Sequence, residues 1–168
     1  MALGKLLIEK LNPGSIIDVG CSSGIYLVPY LERGIEVLGI DGARDVGQHI
    51  PGNFRVVDLR QSWTPPHRYD LAYCVEVAEH LHCEFSDTLV KTVCDCSDTI
   101  FFTAARPGQG GEGHWCEQTK NYWLNLFSKY GIGLHPRNEV IMAVINPDLA
   151  YDHCGWIRTN GMLLGKIG

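Results

Sequence analysis

Three carboxylates stand where apolar runs stop: Asp18 in "SIIDVGCSSG", Asp41 in "IEVLGID" and Asp58 in "FRVVD". A carboxylate at the end of a buried run is costly without a partner, so each position points to a ligand. The first run breaks into Gly20, Cys21, Ser22, Ser23 and Gly24. Small residues there let a ligand approach the backbone and leave amides free to face it. An acid at the second tip can accept from both hydroxyls of a ribose, and one at the third can meet an adenine amino group.

Two cofactors use such a crevice. A dinucleotide site calls for G-x-G-x-x-G with the pyrophosphate on a helix N-terminus. Here serine takes the middle glycine's place, the third glycine is misplaced, and Asp18 would repel a pyrophosphate. A nucleoside carrying a cationic amino group suits the site better, and S-adenosylmethionine is such a molecule. A NAD-dependent oxidoreductase is the weaker alternative.

Two histidines are candidate general bases. His114 lies in the Gly-rich stretch "RPGQGGEGHWCEQ", where a loop can close over an acceptor; its alternative is a solvated loop histidine. His80 follows the fourth apolar run and can instead pack beside the cofactor, while Glu79 suits a helix N-terminus. Trp115, Tyr122 and Trp123 are candidate acceptor-pocket residues, though aromatics at helical spacing more often form core. Tyr26 reads either as a partner of a cofactor carboxylate or as packing. No metal site is expected.

The elements that position these residues alternate between strand-like and helical runs, the pattern of βαβ units and a mainly parallel sheet. Strands are expected at 16–19, 35–41, 54–58, 69–75 and 98–105. Helices are expected at 23–33, with Pro29 as a kink and Gly34 as the stop, and at 78–93, with Leu81, Phe85, Leu89 and Val93 on one face. Leu3, Leu6, Leu7 and Leu11 predict a short amphipathic helix closed by Pro13 and Gly14. Thr119 caps a helix that Gly131 ends. The segment 137–151 suits a helix better than a strand, and "GWIRTNGMLLGKI" reads as a final strand or a hairpin bent at Asn160 and Gly161.

The 168 residues suffice for a single domain over 1–168 with a sizeable core. A formal net charge of -5 argues against a protein built to grip nucleic-acid phosphates. No apolar run reaches the length of a membrane span and no secretory leader is visible, which predicts a cytoplasmic protein. Seven cysteines form no CxxC pair, and they are expected to be buried small hydrophobes in a reducing compartment rather than metal or redox sites.

"IIDVGCSSG", "VLGIDGA", "FRVVDL" and "YDLAYCVEVAEHL" resemble, in order and spacing, the successive motifs of class I S-adenosylmethionine-dependent methyltransferases. "EVAEHL" is most similar to the small-molecule enzymes of the ubiquinone-biosynthesis type. The resemblance spans about half the chain, from Ser15 to His82. It implies an α/β fold: a Rossmann-like, doubly wound, three-layer α/β/α domain with a seven-stranded, mostly parallel sheet whose last strand is antiparallel.

By the same resemblance, Asp18, Gly20, Cys21, Ser22 and Gly24 meet the methionine moiety. Asp41 with Gly42 holds the ribose, Asp58 with Leu59 the adenine edge, and Val75, Glu76 and Val77 form the floor beneath the sulfonium. Ser22 departs from the glycine common at that position. The absence of an Asn/Asp-Pro-Pro-Tyr/Phe signature after the fourth strand implies oxygen methylation of a small molecule or glycan. A non-catalytic cofactor-binding scaffold is the alternative. The short loops leave the site nearly lidless, which suits a large acceptor, an acceptor supplied by a partner chain, or closure of the site by a second copy as a homodimer.

Overall fold

The computed structural model describes residues 2–145 and 155–168. Helix α1 (Ala2–Leu11) leads into strand β1 (Ser15–Val19), a 3₁₀ turn (Ile25–Leu27), α2 (Val28–Leu31), β2 (Glu36–Asp41), β3 (Phe54–Val56) and β4 (Leu71–Val75). Two 3₁₀ turns (Ala78–His80 and Cys83–Phe85) precede α3 (Ser86–Cys96), β5 (Thr99–Thr103), α4 (Lys120–Ser128), β6 (Ile132–Leu134), α5 (Asn138–Val144), α6 (Gly155–Asn160) and β7 (Met162–Lys166).

Seven strands form one sheet in the order β3-β2-β1-β4-β5-β7-β6. β1 pairs in parallel with β2 and β4, and β7 runs antiparallel to both β5 and β6. The expected mostly parallel sheet with an antiparallel last strand is therefore present. Strand order reverses between β1 and β4, the point where open α/β sheets bind ligands.

Side-chain alternation divides the interior into two layers. Ile17, Ala72, Ile100, Phe102 and Leu164 face α3 and α4, where Leu89, Val93, Trp123 and Phe127 pack. Their neighbours Ile16, Leu71, Tyr73, Phe101 and Leu163 face α1, α5 and α6 through Leu3, Leu7, Ile141 and Ile157. Burial on both sides is why these strands read as continuous apolar runs.

Several expected elements are redrawn. The helix expected at 23–33 is a 3₁₀ turn followed by a single α-turn, and Pro29 lies in the first turn of α2, where a proline costs little. The helix expected at 78–93 breaks at Leu81, whose backbone is extended (φ −99, ψ 149), so only Ser86–Cys96 is α-helical. In "GWIRTNGMLLGKI", residues Gly155–Asn160 form α6 before β7 begins, with Ile157 and Asn160 buried one helical turn apart. β6 has no counterpart among the expected strands; it follows directly on Gly131, whose φ of 72 ends the α4 region. The third, fourth and fifth strands are shorter than their apolar runs. Helix α5 agrees with the reading of 138–144; residues 146–151 of that segment lie outside the described residues.

Cysteine usage needs a larger correction. Cys83 and Cys116 form a disulfide, whereas Cys21, Cys74, Cys94 and Cys96 are buried free thiols as expected. Cys154 lies outside the described residues.

Candidate active site

A cleft of about 850 Å³ opens at the carboxyl ends of β1, β2 and β4. Gly20 and Ser22 from the turn after β1 line it, with Asp41 and Gly42 from β2, Asp58 and Leu59 after β3, and Glu76, Val77 and His80 after β4. Arg44, Arg60, Leu81, His82 and Trp115 complete most of the wall. Its size suits a nucleoside-sized ligand.

The turn is shaped by its neighbours. Gly20 has φ +82, and a Cβ there would lie 2.4 Å from Val77 Cγ2, so only glycine fits against this wall. Gly24 serves a different end. The chain after β2 folds over the turn through Gly47 N to Ser22 O (2.9 Å) and His49 N to Ser23 O (3.0 Å). Ile50 is thereby buried against Gly24 and Gly39. The turn is therefore strapped on one side by residues 43–50, and Gly24 makes room for Ile50.

Asp41 bridges the two loops: Oδ2 accepts from Ser22 N at 2.9 Å and Oδ1 from Ala43 N at 2.9 Å. Each oxygen keeps a further lone pair for a ligand hydroxyl. Asp58 is differently engaged. Arg60 holds it through Nε at 2.9 Å, Nη2 at 2.9 Å and its backbone amide, which keeps the carboxyl down at about 2. The expected open acceptor for an adenine amino group is thus already paired with a guanidinium.

Asp18 lies beneath the cleft. It is 1% exposed, and its Oδ2 has no hydrogen-bond partner. Burial, and secondarily the charge of Asp41, pushes its carboxyl up to about 7. Beside it on the same face, Tyr30 and Tyr73 join hydroxyls at 2.6 Å, and Tyr26 packs edge-on to Tyr73 at 6.4 Å. Cys21 and Val75 are buried, and neither they nor Tyr26 are among the residues that line this cleft.

His80 faces the cleft, while His114 packs edge-on behind it with ring centroids 5.0 Å apart. His114 Nδ1 meets Glu117 Oε1 at 2.9 Å, and Glu117 also accepts from the amides of Gly108 and Gly110. Glu79 is 0% exposed; Oε1 accepts from Ala105 N at 3.1 Å, but Oε2 has no partner. Burial raises this carboxyl to about 7. Glu79, His80 and His114 place ligand atoms within 4.8 Å of one another, a grouping that can hold a divalent cation. No metal site was expected from the sequence, because His114 is distant in the chain.

Trp115 is 63% exposed and stacks on His82 at 4.9 Å, forming one lip of the cleft. Tyr122 and Trp123 belong to α4, and Trp123 is core. Arg44, Arg60 and His82 were missed by sequence reasoning. Arg60 alone left a signal, two residues after Asp58.

A family profile described as a methyltransferase domain matches residues 2–105. A ubiquinone biosynthesis O-methyltransferase from Leptothrix cholodnii is 31% identical over 85 residues, which are 44% of this chain and 36% of that protein. The match thus spans about a third of that relative.

Among solved structures, a TehB-like SAM-dependent methyltransferase from Corynebacterium glutamicum superposes with a TM-score of 0.69 at 18% identity, covering 99% of this chain and 88% of the other. The O-methyltransferase of a trans-AT PKS multienzyme from Brevibacillus brevis, in complex with S-adenosylhomocysteine, gives 0.66 at 14% identity over 99% and 72%. Magnesium protoporphyrin IX methyltransferase from Synechocystis PCC 6803 with bound S-adenosylhomocysteine gives 0.63 at 18% over 79% and 71%. These likenesses establish a shared fold. With its cleft at the strand-order reversal and the profile running through α1 to the end of β5, the chain belongs to the methyltransferase-domain family.

Proposed function

We propose that this chain is an S-adenosylmethionine-dependent methyltransferase acting on an oxygen of a small molecule or glycan. The observation that carries the reading is Asp41: it closes the turn with two amides while still facing a nucleoside-sized cleft. In this reading Asp41 receives the ribose hydroxyls and Leu59 packs on the adenine. Gly20 and Val77 shape the wall nearest the reacting centre. The buried Asp18 adds a negative field that favours a cationic amino group above the turn.

The cofactor supplies an already activated methyl group, so the chain's own task is alignment and proton removal. In this reading His80, which lines the cleft, takes the acceptor hydroxyl's proton at a ring nitrogen. His114, oriented by Glu117, supports His80 from behind. The unpartnered Glu79 Oε2 favours a second use of the same wall. A divalent cation on Glu79, His80 and His114 would orient the acceptor hydroxyl and lower its pKa.

The test is methyl transfer from labelled S-adenosylmethionine across phenols, hydroxy acids and sugars, with and without a chelator. The reading expects a labelled ether or ester product, and expects His80→Ala to lower turnover at least tenfold with little change in cofactor affinity. Label on nitrogen acceptors only, or none with any acceptor, contradicts it. Activity that falls with chelation and returns with a divalent cation assigns the wall to metal; activity indifferent to chelation assigns it to proton transfer.

A further inference from the structure

We propose that the Cys83–Cys116 disulfide is a redox latch that fixes the His114–Trp115 loop against the cleft. This rests on the functional reading above for what the latch controls, though not for the latch itself.

The loop from Ala104 to Gln118 contains no helix or strand. Its non-covalent tie to the segment after β4 runs through hydrogen bonds to Glu76, Glu79 and His80. Trp115 N and Cys116 N both donate to Glu79 O, at 2.7 and 3.1 Å, Ala105 N donates to Glu79 Oε1 at 3.1 Å, Gln109 Nε2 donates to Glu76 Oε2 at 3.3 Å, and His80 Nδ1 lies 3.2 Å from Gly113 O. The disulfide is the one covalent tie between these segments among the described residues. It joins Cys83, three residues past His80, to Cys116, two residues past His114. Both histidines and the Trp115–His82 lip are therefore held in register by the same bond.

The bond is asymmetric. Cys83 is exposed, whereas Cys116 is buried with Ser86 Oγ 3.7 Å from its sulfur. An incoming thiol can reach Cys83 and not Cys116, and exposed bridges are the exchangeable kind. In the exchange, a thiolate of a small or protein dithiol attacks Cys83 Sγ. The S–S electron pair leaves on Cys116 Sγ, which the Ser86 hydroxyl can meet with a hydrogen bond before it takes up a proton. The dithiol's second thiolate then displaces Cys83, so the reductant becomes a disulfide and the chain gains two thiols. Oxidation by a disulfide partner runs the same steps backwards.

With the bond open, only non-covalent contacts hold the loop, and the two amides beside the bridge rely on Glu79 O alone. The Trp115–His82 lip and the contact between His80 and His114 loosen, and the cleft loses one wall. The four other described cysteines are buried and free, so they do not offer an alternative bridge to an external thiol.

The test compares the full chain oxidised and after a dithiol reductant, by three readouts. Thiol titration in denaturant should find two fewer free thiols in the oxidised chain. Hydrogen exchange at the Trp115 and Cys116 amides should speed up at least tenfold on reduction, with β5 amides unchanged. Affinity for S-adenosylhomocysteine or turnover should fall at least threefold. The variant Cys83→Ser should exchange like the reduced chain and stop responding to reductant. Equal thiol counts, or Trp115 and Cys116 amides that exchange alike in both states, overturn the latch. If S-adenosylhomocysteine binds neither form while the exchange contrast persists, the latch stands and the functional reading falls.

Discussion

Replacing Asp18 with asparagine separates the stability cost of this residue from its use. Its carboxyl titrates near 7 in the fold because burial disfavours the charged form, with Asp41 adding to the effect. An unfolded aspartate titrates near 3.8. A folded value above the unfolded one means that stability is fully present at acid pH and is lost as pH rises towards and through the folded value. At 1.36 kcal/mol per unit, the roughly three-unit gap reaches about 4 kcal/mol above neutrality.

Between about pH 5 and about pH 8 the loss amounts to about 2.5 kcal/mol. The asparagine side chain would not ionise, so that slope should vanish in Asp18→Asn. The new amide brings a buried donor that costs about 1–3 kcal/mol, but at every pH alike. Urea unfolding of both chains at several pH values measures the difference. The variant should gain on the parent by about 2.5 kcal/mol from pH 5 to pH 8, while its affinity for S-adenosylhomocysteine drops at least tenfold. A stability difference that is flat across this range refutes the burial argument. Unchanged affinity refutes the claim that the acid is retained for a cationic ligand.

Other substitutions probe the walls. Gly20→Ala places a Cβ 2.4 Å from Val77 at φ +82 and should cost about 2 kcal/mol or more by thermal unfolding, with loss of cofactor binding. Ile50→Ala removes the side chain that seats the strap on Gly24 and Gly39; a loss of about 2–5 kcal/mol in denaturant unfolding is expected. Asp41→Ala leaves the Ser22 and Ala43 amides without their acceptor, and calorimetry should show cofactor affinity reduced by at least tenfold.

Much of this arrangement was legible because each strand carries its own signature. β1, β2 and β4 are buried on both faces and end on residues that break the apolar run, so Asp18, Gly20 and Asp41 announced themselves. The helix expected at 78–93 shows where period fails. Leu81, Phe85, Leu89 and Val93 keep a four-residue spacing, yet the chain is extended at Leu81 and only α3 uses that face. Helix α6 was hidden by its brevity, since six residues with two buried positions resemble a strand as much as a helix.

Pairings between distant segments had no local trace. Nothing in the order of residues joins Cys83 to Cys116, or His114 to Glu79 and His80; the sheet does so by placing the ends of β4 and β5 side by side. Asp58 looks like an open acceptor in the sequence because only the fold turns the Arg60 guanidinium back onto it.

The crystal structure of the chain with S-adenosylhomocysteine tests the central claim most directly. Ribose hydroxyls should lie within hydrogen-bonding distance of Asp41, with adenine against Leu59 and the sulfur beside Val77. Density for the ligand elsewhere, or a cleft that stays empty at saturating ligand, contradicts that claim.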